Sequence, residues 1–171
     1  MDFYEVFKAA RKETFRLELL DQYLVEEERA DFAAWKRKEQ ASPGPGMAAW
    51  VSDLERVRSR GVITHRVHVV TLPLSEYMRY EIDAYKITKE DVRFIERGEY
   101  RRLEKIFNPK EFWLIDEKHL FTVNYDPEGH WTGFDYSDEE AELRRHAQIK
   151  DFLLSKALPL DSFARDNGIK P

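Results

Sequence analysis

The sequence contains no cysteine, which removes disulfides, thiolate nucleophiles and cysteine-ligated zinc together and suits a reducing compartment. Glycine is scarce, with 7 in 171 residues, and the run Gly44-Pro45-Gly46 lacks the Lys and Ser or Thr of a phosphate-binding P-loop. Neither a Gly-x-Ser-x-Gly elbow nor a His-Glu-x-x-His zinc helix occurs. No stretch approaches the roughly 18 apolar residues of a membrane helix. Met1-Asp2-Phe3-Tyr4-Glu5 opens without the basic and then apolar pattern of a signal peptide. A cytoplasmic location with no membrane partner is therefore expected. An excess of one charge is missing too, since 33 acidic and 28 basic side chains leave a net charge of −5. The densest basic clusters, Arg56, Arg58 and Arg60 or Arg101, Arg102 and Lys105, sit among glutamates, so direct nucleic-acid binding is not expected.

Aromatic residues are plentiful: 11 Phe, 8 Tyr and 4 Trp give enough apolar area to offset the entropy of ordering the chain. The length fits a single domain over residues 1–171, with a mainly helical part at 1–60, a sheet part at 62–136 and terminal helices at 137–168. Phe3, Phe7, Ala10 and Thr14 recur at helical spacing, which predicts an amphipathic helix over about the first 14 residues. Phe15 to Leu19 alternates with period two, allowing either a short strand or a longer helix. A second helix is expected from Glu26 to Gln40, stopped by Ser42-Pro43-Gly44-Pro45-Gly46, and a third on Met47, Trp50, Val51, Leu54 and Val57. Val62 to Leu72 reads as a central strand, apolar on both faces, with a parallel neighbour. A helix follows from Ser75 to Tyr85, then a strand from Asp91 to Ile95, chosen over a helix capped at Thr88, then a short helix closed by Asn108-Pro109. Ser137-x-x-Glu140 reads as a capping box opening a long final helix, and Asp161 to Asn167 as a last turn. The expected architecture is α+β: a mixed sheet of about five strands with a C-terminal β-meander, packed by N- and C-terminal helices.

The meander, Phe112 to Tyr136, carries the candidate site. A two-residue turn pairing Asp116 with His119 and a second turn pairing Tyr125 with His130 assign each side chain to a face. Phe112, Leu114, Phe121, Val123 and Phe134 then form an apolar face, while Trp113, Ile115, Leu120, Thr122, Asn124, Trp131 and Asp135 form a half-polar one. Trp113 and Trp131 beside Asn124 could floor a planar ligand or partner peptide, although packing under the terminal helix explains the same residues. Asp116, His119 and Tyr136 gather a carboxylate, an imidazole and a phenol, fit for acid and base work or for mutual satisfaction at a hairpin end. Arg79 could clamp an anion or serve as an ordinary surface arginine. His65 and His68, three apart on a strand, point to opposite faces and cannot share a metal, so neither metal nor cofactor is expected.

The ordered segments Phe15-Arg16-Leu17-Glu18 with Tyr23 and Glu28, Arg66-Val67-His68-Val69-Val70, Tyr77-Met78-Arg79-Tyr80-Glu81, Glu90-Asp91-Val92-Arg93, Phe112-Trp113-Leu114-Ile115-Asp116 and Tyr125-Asp126 with Gly129 resemble the actinobacterial family called domain of unknown function 6879. The resemblance spans about residues 7 to 158 and supports the strand at Asp91 to Ile95. It implies a regulatory or toxin–antitoxin-like context, because such proteins tend to be encoded near helix-turn-helix regulators. The order strand, helix, strand, hairpin is also similar to phospholipase D-like domains, whose His-x-Lys-x-x-x-x-Asp motif attacks phosphodiesters. Here His119 is followed by Leu120-Phe121, so the resemblance does not carry that activity. The expected function is a non-catalytic binding or regulatory protein acting on a protein partner or small ligand. The rival is an enzyme of unrecognised type using Asp116 and His119.

Overall fold

The computed structural model describes residues 1–39, 41 and 44–169. Ser42 and Pro43 of the expected breaker run, and Gln40 at the expected end of the second helix, lie outside the described residues. Helix α1 (Phe3–Ala9) is capped by Asp2, whose carboxylate accepts from the Glu5 amide, and ends before the alternating segment. That segment is a strand, β1 (Glu13–Glu18), so Thr14 belongs to the sheet and the first helix is shorter than its periodicity suggests. The remaining helices are α2 (Glu26–Lys36), α3 (Ala48–Arg58), α4 (Glu76–Thr88), α5 (Arg97–Phe107), α6 (Glu140–Lys156) and α7 (Leu160–Asp166). The remaining strands are β2 (Ile63–Val70), β3 (Asp91–Glu96), β4 (Phe112–Ile115), β5 (His119–Tyr125), β6 (Trp131–Ser137) and β7 (Leu158–Pro159).

The strands form one mixed sheet of seven, ordered β6-β5-β4-β1-β2-β3-β7, rather than about five. β7 is two residues long and left no periodic signal. β1 lies between β2 and β4, so the part expected to be mainly helical supplies a central strand. β1, β2 and β3 run parallel, joined by helical crossovers, and the β4-β5-β6 meander is antiparallel. Helices α5 and α6 cover one face, packing Tyr100, Ile149 and Leu153 on Phe15, Leu17, Val67, Phe112 and Leu114. On the other face α1 and α3 pack Phe3, Phe7 and Leu54 on Trp113, Phe121 and Val123. Beside them α4 and α7 pack Met78, Ile82 and Phe163 on Val70, Val92 and Phe94. Each fully buried side chain of this size contributes roughly 1.5–3 kcal/mol of transfer free energy.

Ser75 caps α4 by accepting from the Met78 amide, as the sequence suggests. Ser137 does not cap α6; its hydroxyl accepts from the Glu139 amide, and the helix starts three residues later at Glu140 without a side-chain cap.

The meander register departs from the expected one. Ile115 rather than Asp116 pairs with His119, leaving a three-residue loop in which Asp116 and Glu117 adopt φ of +52° and +55°. The extra residue flips β4, so Phe112 opposes Thr122 and Trp113 opposes Phe121. The cause lies outside the hairpin: the Asp116 carboxylate accepts from the Arg11, Lys12 and Glu13 amides at 2.8, 2.7 and 3.1 Å, tying the loop to the start of β1. At the second turn Tyr125 pairs with Trp131, not with His130, and a register shift at Asn124 and Tyr125 accommodates the extra residue on β6.

Candidate functional site

Side chains of successive strand residues alternate in face, so Arg16 and Glu18 on β1 share a face with Arg66 and His68 on β2. That face is buried, and helix α4 closes over it. β2 is therefore not apolar on both sides, as its β-branched composition suggests; one set of its residues is Thr64, Arg66, His68 and Val70. Burying charge is costly unless each group is paired. Here the pairing is extensive. Arg66 Nη1 donates to Glu18 Oε1 at 2.6 Å, and its Nε and Nη2 reach Glu90 Oε1 at 3.3 and 3.2 Å. Arg16 Nη2 donates to Glu111 Oε2 at 2.5 Å and to the Tyr125 hydroxyl at 3.1 Å. The other Glu111 oxygen accepts from Tyr23 Oη at 2.6 Å and from the Leu19 amide at 2.9 Å. Tyr85 Oη donates to Glu18 Oε2 at 3.0 Å, and His68 Nε2 donates to the Leu20 carbonyl at 2.8 Å. Both guanidinium groups also lie over the Trp113 ring, at 5.7 and 5.5 Å.

Burial opposes ionisation of Glu18, but Arg66 and the His68 hydrogen bond outweigh it and hold this carboxyl well below the usual range. The neighbouring acids respond in the opposite sense. Burial pushes Glu28 up to about 7; the charges of Glu18 and Asp31 add to the rise, and the Tyr77 hydrogen bond and Arg66 oppose it. Burial together with Glu28 and Glu18 holds Glu81 well above its ordinary value. The charged sector thus combines a firmly ionised carboxylate with two acids whose ionisation is opposed.

Glu28 lies at the edge of this sector in a cleft of ≈ 350 Å³, bounded by the 22–25 loop, α2, Tyr77 of α4 and His130 of the β5–β6 turn. Tyr77 Oη donates to Glu28 Oε2 at 2.8 Å. Tyr23 and Phe32 wall the cleft, their rings 6.3 and 5.4 Å from that of Tyr77. The turn is held against the loop because the Leu24 amide donates to the Gly129 carbonyl at 3.1 Å, and Gly129 sits at φ +97°, a conformation that favours glycine.

The residues singled out in the sequence do not form one site. Trp113 is 6% exposed and faces α1 and α3, whereas Trp131 is 52% exposed and contacts Phe134 on that same face. Asn124 lies on the opposite face, donating to Asp135 Oδ2 at 2.9 Å, so the expected aromatic floor with Asn124 is not assembled. The β4 flip and the shift at Asn124 account for this. His119 does meet Tyr136, Nδ1 to Oη at 3.0 Å, but the carboxylate next to them is Asp138, 3.4 Å from Tyr136, because Asp116 is engaged by β1. Arg79 is exposed on α4. His65 and His68 take opposite faces, His65 pairing with Asp91 at 2.8 Å. Among the described residues no group of three His, Cys, Asp or Glu could hold a metal, and no helix is long and apolar enough to cross a membrane.

Arg16, Glu18, Glu111, Arg66, His68, Glu28 and Tyr77 were not singled out as functional. All but Glu111 lie in the segments that carry the family resemblance, and charged residues spaced two apart among apolar ones were the available signal. The family model covers residues 1–165. The chain belongs to the family Domain of unknown function (DUF6879). No curated protein matches it in sequence. Among solved structures it is similar to Nuc from Salmonella typhimurium, a phospholipase D family member, with TM-score 0.52 and 7% identity over 91% of this chain and 86% of that one. TrmBL2, an archaeal chromatin protein, aligns at TM-score 0.49 and 13% identity over 91% of this chain. The chain spans about half of that protein, 48% of its length. At these identities the likeness to Nuc is one of fold.

Proposed function

We propose that the chain is a non-catalytic binding protein, regulatory in role, whose cleft over Glu28 receives a small ligand or a projecting group of a protein partner. One observation carries this reading. The C-terminal ends of parallel strands are where open α/β sheets usually hold substrates, and here the carboxylates of that region are consumed by their neighbours. Glu18 is held by Arg66 and Glu111 by Arg16 and Tyr23, while Glu90, before the start of β3, is held by Arg66 and Thr88. A base or nucleophile needs an uncommitted lone pair facing substrate, whereas such a network stiffens the floor of a neighbouring cleft. The regulatory context implied by the family resemblance, near helix-turn-helix regulators, agrees with this role.

The rival reading, a degenerate phospholipase D-like hydrolase using Asp116 and His119, is weaker. Asp116 spends both oxygens on three backbone amides, and Leu120-Phe121 follows His119 where the motif requires lysine at the second position. Two measurements on the purified chain separate the readings. Native mass spectrometry should detect a bound ligand or partner that is lost in Phe32→Ala, with the melting temperature still showing a folded protein. Bis(p-nitrophenyl) phosphate should not be turned over. Turnover that disappears in His119→Ala would replace the binding reading with the hydrolase.

A further inference from the structure

We propose that the occupant of the cleft is a small organic ammonium ion, held by the Glu28 carboxylate and the rings of Tyr23, Phe32 and Tyr77; this rests on the binding reading above. The cleft, at ≈ 350 Å³, has the size of a small-molecule site. Its polar floor is acidic. Glu28 is 7% exposed, and the hydrogen bond to its carboxylate among the described residues comes from Tyr77. The walls are aromatic, with the ring planes of Tyr23 and Phe32 tilted 56° and 83° from that of Tyr77. The negative face of an aromatic ring attracts a cation, most strongly where water is excluded.

The charges around Glu28 favour the same ligand. From α2 come Glu26, Arg29 and Asp31; from α4, Tyr77 and Glu81; from the sheet, Glu18 and Arg66; from the loop and the β5–β6 turn, Tyr23 and His130. Arg29 reaches Glu26 at 3.8 Å with its side chain 81% exposed, and Arg66 is committed to Glu18 and Glu90. Burial first, and then the charges of Glu18 and Asp31, favour the form of Glu28 that carries a proton. An ammonium ion replaces that proton. Binding therefore releases about one proton and strengthens as pH rises through the range in which Glu28 ionises.

The test uses n-butylammonium and its uncharged counterpart n-pentanol, titrated into the full chain and followed by the ring signals of Phe32 and Tyr77 in NMR spectra at pH 6 and pH 8. Butylammonium is expected to bind about tenfold more tightly at pH 8, as linkage to a single group with a midpoint near 7 requires. Glu28→Gln preserves the shape and the Tyr77 contact, and should abolish both the pH dependence and most of the affinity. Phe32→Leu should weaken binding several-fold. His130→Gln should retain the tenfold ratio, which separates Glu28 from the histidine that lines the cleft. Equal affinity at both pH values, or pentanol binding as tightly as butylammonium, overturns the ammonium assignment and leaves the cleft as a binding site. Silence from both probes also overturns it. The binding reading itself fails on a different result, phosphodiester turnover.

Discussion

Two sectors of the same sheet face lie side by side and are built on opposite principles. Beneath α1 and α3 the meander sector is aromatic, with Phe3, Phe7, Trp50, Trp113, Phe121 and Phe134 in mutual contact. Beneath α4 the parallel sector is ionic, with Arg16, Glu18, Arg66, Glu90 and Glu111 joined by direct hydrogen bonds. Trp113 belongs to both, packing on Phe3 and Phe7 while lying under the two guanidinium groups. Dispersion and the hydrophobic effect are distributed over many contacts, so the aromatic sector should yield gradually to substitution. A buried ion network fails once one partner is missing, because the remaining charge stays desolvated. That stringency matters for function: the network fixes the charges around Glu28, whose carboxyl burial holds above its ordinary range beside an open cleft.

The largest expected effect is in the ionic sector. Arg66→Met removes the cation shared by Glu18 and Glu90 and should cost about 3–5 kcal/mol in urea unfolding. A loss below about 1 kcal/mol would mean that the network is not structural. Next comes pH. Glu28 has a folded midpoint of about 7 against an ordinary 4.5, so the folded state binds more protons in that window and its stability falls as pH rises from 4.5 to 7. Glu18, held below 4.5, contributes stability above that value that is lost as pH falls through its folded midpoint. These two groups should therefore place the stability maximum at about pH 4.5, and Glu28→Gln should recover about 2–3 kcal/mol of the decline by pH 7.5. Chemical denaturation across pH 4 to 8 measures both limbs.

A smaller effect is expected where the two sectors are tied together. Asp116→Ala leaves three amides without their acceptor and places alanine at φ +52°, costing about 1–2 kcal/mol. Unlike a catalytic lesion, it should leave ligand affinity at the distant cleft unchanged. The smallest effect belongs to the aromatic sector, where Phe121→Leu should cost about 1 kcal/mol through partial repacking against Phe3 and Trp113. A larger loss there than in Arg66→Met would invert the comparison.

Much of the fold was legible in the sequence because helical periodicity and turn chemistry are local. Ser75 marked α4, Asn108 marked the end of α5, and the β-branched run marked β2. The meander was legible as three strands but not in register, since the residue that sets its first turn, Asp116, is held by amides more than 100 positions away. The same limit hid the site. Arg16 and Arg66 look like surface charges in a linear reading, and only the parallel pairing of β1 with β2 places them together beneath α4. Trp113 and Trp131 stand out as large aromatics, yet the β4 flip moves the first and the shift at Asn124 and Tyr125 the second to the face opposite Asn124. The cleft joins residues 22–32, Tyr77 and His130, segments brought together only by the fold.

Burial beside the ionic sector raises the Glu28 carboxyl at the floor of the cleft to about 7. The most direct test is an NMR titration of the Glu28 side-chain carboxyl carbon in the full chain. The account predicts a midpoint of about 7, moved toward the ordinary range when butylammonium saturates the cleft. A midpoint near 4.5 in the unliganded chain would contradict it.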